Sequence, residues 1–279
     1  MKSLKLVGRH AVLTFLAVFW LVPILWLVVT AFSTDPGINV TQFFPQGYTL
    51  KNFELLLFGA DTVAQFPIWF SNTLIIAIFT CLISSTLVLM VSYAMSCMRF
   101  PARKPLMNFA VVLNLFPGFL SMIAVYFIIK SLGLTNSHLG LIIVYSGSAG
   151  LGYLIAKGFF DTTPISVRES ARLEGATEAQ IFLRIVIPLS KPIIVYTVIS
   201  SFLMPWMDFI FARIILNSGI SSDFTVAIGL YTMLDRTLIN FYFARFCAGG
   251  LLVSIPISIL FLIMQRFYVE GITGGAVKG

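Results

Sequence analysis

The sequence predicts an all-α integral membrane protein, a helix bundle with six transmembrane helices and both termini in the cytoplasm. Three observations carry this. Of 279 residues, 58% are hydrophobic and only 10% charged; five long stretches hold no Asp, Glu, Lys or Arg; and the basic residues gather on alternate loops. A soluble globule carries about a quarter of its residues as charges. With a mean hydropathy of +0.97, this chain needs lipid as its solvent.

The charge-free stretches are residues 10–34, 62–98, 105–129, 131–156 and 246–265. Each can cross a hydrocarbon core of about 30 Å, which takes roughly 20 helical residues. A sixth, residues 192–216, is interrupted only by Asp208 and Arg213. The expected spans are 11–32, 69–97, 106–129, 139–156, 192–216 and 246–265, in one transmembrane domain over 1–279. Outer loops are expected at 33–68 and 217–244, and a cytoplasmic loop at 157–191.

Helices follow from continuous apolar runs without the alternation a β-barrel wall needs. The first run exceeds the 7–15 apolar residues typical of a signal peptide, so it is expected to stay as an anchor. Cys81, Cys97 and Cys247 all fall in expected spans and imply no disulfide framework.

Positive charge sets orientation. Thirteen of eighteen Lys and Arg fall on one set of loops, and Lys51, Lys130, Arg213, Arg236 and Arg245 on the other. The richer set, with both termini, is expected in the cytoplasm. Topology thereby accounts for the net charge of +7, and no nucleic-acid partner is implied.

Residues 163–188 carry the densest local signals. Thr163 can cap a helix beginning at Pro164, Gly175 can end it in a left-handed turn, and Thr177 with Gln180 has capping-box spacing. Pro188 is expected to stop the second helix. The product is a pair of short helices bearing Arg168, Glu169, Arg172 and Glu174, with small residues at Ser170, Ala171, Gly175 and Ala176. From periodicity alone, such a pair could simply lie at the headgroups.

Glu169-Ser170-Ala171, then Gly175, then Ile185-Val186-Ile187-Pro188 resembles the EAA loop of ABC importer permeases, usually Glu-Ala-Ala, three residues, Gly, nine residues, Ile-x-Leu-Pro. Ser170, Glu174 and Ile187 depart from that pattern by small changes in volume. The resemblance implies a type I ABC importer permease fold, with this loop seated in a cleft of an ATP-binding subunit. Glu169 would be the charged contact and Gly175 the turn, with Ser170, Ala171, Arg172, Glu174, Ala176, Ile185 and Pro188 completing the element.

Phe116-Pro117, the run from Lys157 to Thr162, and the closing residues 265–279 are similar to the sugar branch of that family, most of all to the smaller, six-span permease of maltose and maltodextrin importers. Permeases for raffinose-type sugars and glycerol phosphate share the C-terminal signature. The resemblance further implies a second permease subunit, two copies of an ABC ATPase and an extracytoplasmic sugar-binding protein, in a bacterial cytoplasmic membrane. It places Gly274, Gly275, Lys278 and Gly279 against the ATPases, and Ser221, Ser222, Asp223, Tyr231 and Asp235 against the binding protein. By composition alone, the tail would be frayed and the outer loop a connector.

No Gly-x-x-x-x-Gly-Lys-Ser/Thr occurs, so the chain shows no nucleotide cradle of its own. No bound cofactor is expected here, and ATP with magnesium belongs to the partner ATPases. Trp206, Asp208, Gly150 and Gly152 are candidates for the translocation pathway. Asp208 and Arg213 could instead snorkel or pair, and the small residues 146–152 could serve close helix packing. Pro117-Gly118 is expected to bend the third span. A stand-alone secondary transporter would place ionisable groups mid-span and repeat internally; neither feature is visible. His10 and His138 fall at opposite expected faces, leaving no constellation for an enzyme.

Overall fold

The computed structural model describes residues 2–38, 42–115, 117–148 and 152–276, excepting the side chains of 2–5 and 266–276. Gly150, Lys278 and Gly279 lie outside the described residues, as do the side-chain surroundings of Gly274 and Gly275.

Fourteen α-helices are described and no strand: α1 (Lys2–Ala31), α2 (Lys51–Phe58), α3 (Phe66–Cys97), α4 (Arg103–Asn114), α5 (Gly118–Ser131), α6 (His138–Gly147), α7 (Gly152–Asp161), α8 (Ile165–Leu173), α9 (Glu178–Ile181), α10 (Ile187–Leu189), α11 (Lys191–Met207), α12 (Ile210–Ile215), α13 (Val226–Thr232) and α14 (Ile239–Ala276). Four stretches are long and apolar enough to cross a bilayer: Leu6–Ala31, Phe66–Cys97, His138–Asp161 and Ile239–Gln265. Two bent pairs raise the number to six, α4 with α5 at 106° and Glu178–Leu189 with α11 at 87°. Large apolar side chains point outward along these segments, among them Trp20, Phe19, Leu82, Phe109, Phe119 and Leu262. A helix apolar on its outer face belongs in lipid.

The chain divides into two compact units. The first comprises residues 1–69 and 228–255. Its interior holds Leu56, Phe66, Trp69, Met233 and Cys247. Gly229 lets the fully buried Trp69 ring lie flat against the chain, since a Cβ there would run into that ring. Buried Asn52 donates to the carbonyls of Ala31 (3.0 Å) and Ser33 (2.8 Å), satisfying the frayed end of α1. Asp61 accepts from Arg245 at 2.9 Å and Tyr242 at 2.8 Å. Burial pushes its carboxyl up, but the Val63 backbone N–H, the Tyr242 hydroxyl and Arg245 outweigh this and hold it below the usual carboxylate range.

The second unit comprises residues 70–227 and 256–279. Here α11 packs on α6 and α7, and α12 on α5 and α6. Asn72 on α3 ties down the segment 222–226 through the carbonyls of Ser222 (2.8 Å) and Phe224 (3.0 Å), and Thr73 accepts from the Val226 N–H at 2.7 Å.

Several local expectations are corrected. Thr163 does not cap α8: it is buried, its N–H continues α7 by bonding the Phe160 carbonyl, and Pro164, extended at ψ 126°, precedes the first helical residue. Pro188 does not stop the second helix either. The chain passes through a π-helical turn at Phe182–Val186, admits Pro188 near the start of α10, and turns at Ser190. At residues 117–118, the expected bend is a full break between two helices. The fifth apolar run is broken too, because α11 ends at Met207 and a new helix begins at Ile210.

Candidate coupling loop and membrane pathway

The α8–α9 element is built from sequence-local bonds. Gly175, at φ +85°, occupies the left-handed region that favours glycine. The Ala176 N–H reaches the Ala171 carbonyl and the Gly175 N–H the Arg172 carbonyl, both at 3.0 Å, which satisfies the last carbonyls of α8 in a Schellman arrangement. Thr177 then caps α9 reciprocally, accepting from the Gln180 N–H while its own N–H donates to Gln180 Oε1 at 2.8 Å. Arg172 Nε donates to Glu178 Oε1 at 2.7 Å across the turn, and the Tyr93 hydroxyl donates to Glu178 Oε2 at 2.8 Å. Arg172 holds the Glu178 carboxyl below its ordinary range despite partial burial, with Tyr93 adding to the effect.

One face of this pair is anchored. Ala171, Ile181 and Val186 are buried with Val88, Tyr93, Cys97, Ala156 and Phe160, and Ala176 and Ile185 pack against that cluster. The opposite face is free among the described residues: Glu169, Ser170, Glu174 and Gly175 are exposed, and so are Pro188 and, at 90% of its surface, Leu173. Arg168 corrects the expectation of a surface charge, since only 7% of it is accessible.

Within the second unit, Asp208 joins two helices instead of pairing with Arg213. Its carboxylate accepts from the Tyr145 hydroxyl at 2.6 Å and from the N–H groups of Phe211 and Ala212, both at 3.1 Å, so it caps α12 and ties it to α6. Arg213 lies over the Phe224 ring, 5.1 Å from its centre. Trp206 is buried, packed between Phe70 (5.2 Å) and Phe202 (6.0 Å). Gly152 borders a cavity of about 140 Å³ with Tyr145, Ser148, Thr197, Ser200 and Ser201. A neighbouring cavity of about 300 Å³ shares Tyr145, Ser148 and Met204, and adds Ser121, Asp208 and Phe211. Tyr145 and the hydroxyls of α11 were not singled out from sequence, and Ser148 only among the small packing residues 146–152; the signal for them is polar spots inside apolar runs.

The residues assigned to the outer contact divide between the units. Ser221, Ser222 and Asp223 form a 3-10 turn in the second, where the Asp223 carbonyl meets His138 Nε2 at 2.8 Å and its carboxylate accepts from Ser218. Tyr231 and Asp235 belong to the first. Tyr231 is 57% exposed, and Asp235 accepts from the Thr237 N–H and hydroxyl at 2.9 and 2.7 Å.

Comparison with known proteins follows the same lines. Residues 89–273 match the family model described as binding-protein-dependent transport system inner membrane component. The galactooligosaccharides transport system permease protein GanQ of Bacillus subtilis (strain 168) is 31% identical over all of this chain and 97% of its own length. The maltodextrin transport system permease protein MalD of Streptococcus pneumoniae (strain ATCC BAA-255 / R6) is 32% identical over 95% of this chain and 92% of its own. In fold, the chain matches one in the crystal structure of a bacterial ABC transporter involved in the import of the acidic polysaccharide alginate, with TM-score 0.78, 21% identity, and coverage of 94% of this chain and 95% of that one. The apolar helices, the short α8–α9 pair and the family match lead to one assignment: this chain belongs to the binding-protein-dependent transport system inner membrane components, the permeases of ABC importers.

Proposed function

We propose that this chain is one of two permease subunits of an importer that moves an oligosaccharide of the maltodextrin or galactooligosaccharide type across the bacterial cytoplasmic membrane. The observation that carries the reading is the rigid α8–α9 turn, clamped to the core through Ala171, Ile181 and Val186 while Glu169 and Leu173 face outward. The similarity to GanQ and MalD over nearly the whole chain supports the sugar class. ATP is hydrolysed by two partner ATPase subunits, and closure of that pair is passed through Glu169 and the Gly175 turn into α7 and α11, alternating access to the cavities around Tyr145 and Asp208. A sugar-binding protein docks outside on residues that include Ser221, Ser222, Asp223, Tyr231 and Asp235, and the C-terminal residues Gly274, Gly275, Lys278 and Gly279 contact the ATPases. The basic loops, with both termini, face the cytoplasm.

The test is ATP hydrolysis and uptake by the reconstituted importer with its binding protein, across maltotriose, a galactooligosaccharide, raffinose and glycerol phosphate. Stimulation by one of the first two is expected, and stimulation by neither overturns the sugar assignment. In the same system Glu169→Lys is expected to abolish uptake while leaving assembly intact. Unchanged uptake removes Glu169 from the coupling role.

A further inference from the structure

At the end of α3, beside α8, lies an open cleft of about 490 Å³ whose charged lining is four arginines, Arg99, Arg103, Arg168 and Arg172, against two carboxylates, Asp161 and Glu169. Asp161 is already occupied, accepting from Lys157 at 2.6 Å and from Ser96 at 2.7 Å, and Arg172 is engaged by Glu178. Arg99, Arg103 and Arg168 form no ion pair among the described residues. Arg168 is the unusual member. It is more than nine-tenths buried, and its Nε has no hydrogen-bond acceptor among the described residues. A buried guanidinium nitrogen without an acceptor is costly, and the nearby Glu178 carboxylate is already held by Arg172 and Tyr93.

We propose that this cleft binds a phosphate group, carried by an anionic phospholipid or free in solution. Arginine matches phosphate oxygens through its planar fork of donors, and phosphate is the anion that several arginines can share. The cleft sits where a membrane-spanning helix ends, within reach of a headgroup phosphodiester, and basic pockets at that depth suit anionic lipid heads. Occupied, it would join the end of α3 to α8 through one anion, fixing the element that carries Glu169. Glu169 and Arg172 border both this cleft and the surface proposed for the ATPase, so the site rests on that reading in its setting while its test is binding and not transport.

The complete purified importer is examined by native mass spectrometry during titration with phosphatidylglycerol, phosphatidylcholine or inorganic phosphate. Retention of phosphatidylglycerol over phosphatidylcholine is expected, falling about tenfold in Arg168→Gln, the loss of a charge-assisted hydrogen bond or two. Arg99→Gln, at an exposed position without an ion pair among the described residues, serves as the second variant and is expected to weaken retention in the same direction. Displacement of the lipid by inorganic phosphate assigns the site to phosphate itself; resistance to it assigns the lipid. Equal retention of the two lipids together with no phosphate adduct, or unchanged binding in both variants, overturns the proposal. So does lipid retained by the isolated chain and expelled when the ATPase subunits assemble, which gives the cleft to a carboxylate of that partner.

Discussion

Replacing Asp208 by Ala removes the one carboxylate that holds α12 to α6. The loss has two parts. The cap on α12 contributes about 1 kcal/mol, and the Tyr145 hydroxyl, on a residue only 1% exposed, is left without its acceptor at about 1–3 kcal/mol. Together they amount to about 2–4 kcal/mol, which for a chain of this size lowers Tm by about 4–16 °C. Asp208→Asn, with its carbonyl oxygen in the Oδ2 place, keeps the acceptor for Tyr145 and Ala212 and loses the Phe211 bond, so it should recover at least half of the loss. Tyr145→Phe alone should cost about 1 kcal/mol, and combined with Asp208→Ala it should recover part of that variant's loss, because it removes the hydroxyl left without an acceptor. The assay is thermal unfolding of the purified importer followed with a thiol-reactive dye, which reports exposure of the buried Cys97 and Cys247. Strictly additive losses in the double variant, or an Asp208→Ala protein that melts with the wild type, would refute the keystone role of Asp208.

Gly175→Ala meets no neighbouring atom, so its cost is purely that of a left-handed backbone, about 1–2 kcal/mol; the α8–α9 turn should become a preferred protease site, and Gly175→Asn should be cut more slowly than Gly175→Ala. Gly229→Ala drives a Cβ into the buried Trp69 ring and should cost about 1–3 kcal/mol, read as a lower yield of inserted protein, with no loss expected if Trp69 can shift. The depressed Glu178 carboxyl makes its stabilisation complete above the ordinary glutamate range and lost only as pH falls through the lower folded value. Protease resistance of the loop should therefore be flat from about pH 7 to 5 and fall below about pH 4, near the ordinary glutamate value; Glu178→Gln should remove that dependence, and a fall beginning near neutrality would contradict it.

Much of this was written in the local chain. Long charge-free runs announce membrane helices because the bilayer core tolerates little else, and Gly175, Thr177 and Gln180 announce their turn because caps form between neighbours in sequence. What escaped reading depends on distant partners. Asp208 looked like a mate for Arg213, five residues on, but its partner is Tyr145, 63 residues earlier. Arg168 looked like a surface charge because helical spacing cannot reveal that it is buried in a cleft it shares with the ends of α3 and α7. Pro188 looked like a terminator, yet the π-helical turn before it rearranges the hydrogen-bond ladder so that the ring fits without a stop. The break after Met207 likewise falls inside residues 192–216, read as one span, where the Asp208 carboxylate caps a new helix.

The central claim is that the exposed end of α8 is the mechanical joint to a separate motor protein. Cysteine placed at Leu173, in an otherwise cysteine-free importer, should cross-link to an ATPase subunit through a short thiol-reactive linker, with a yield that changes when ATP is bound. A Leu173 cysteine that reacts freely with a soluble maleimide and never joins the ATPase, with or without ATP, would contradict it.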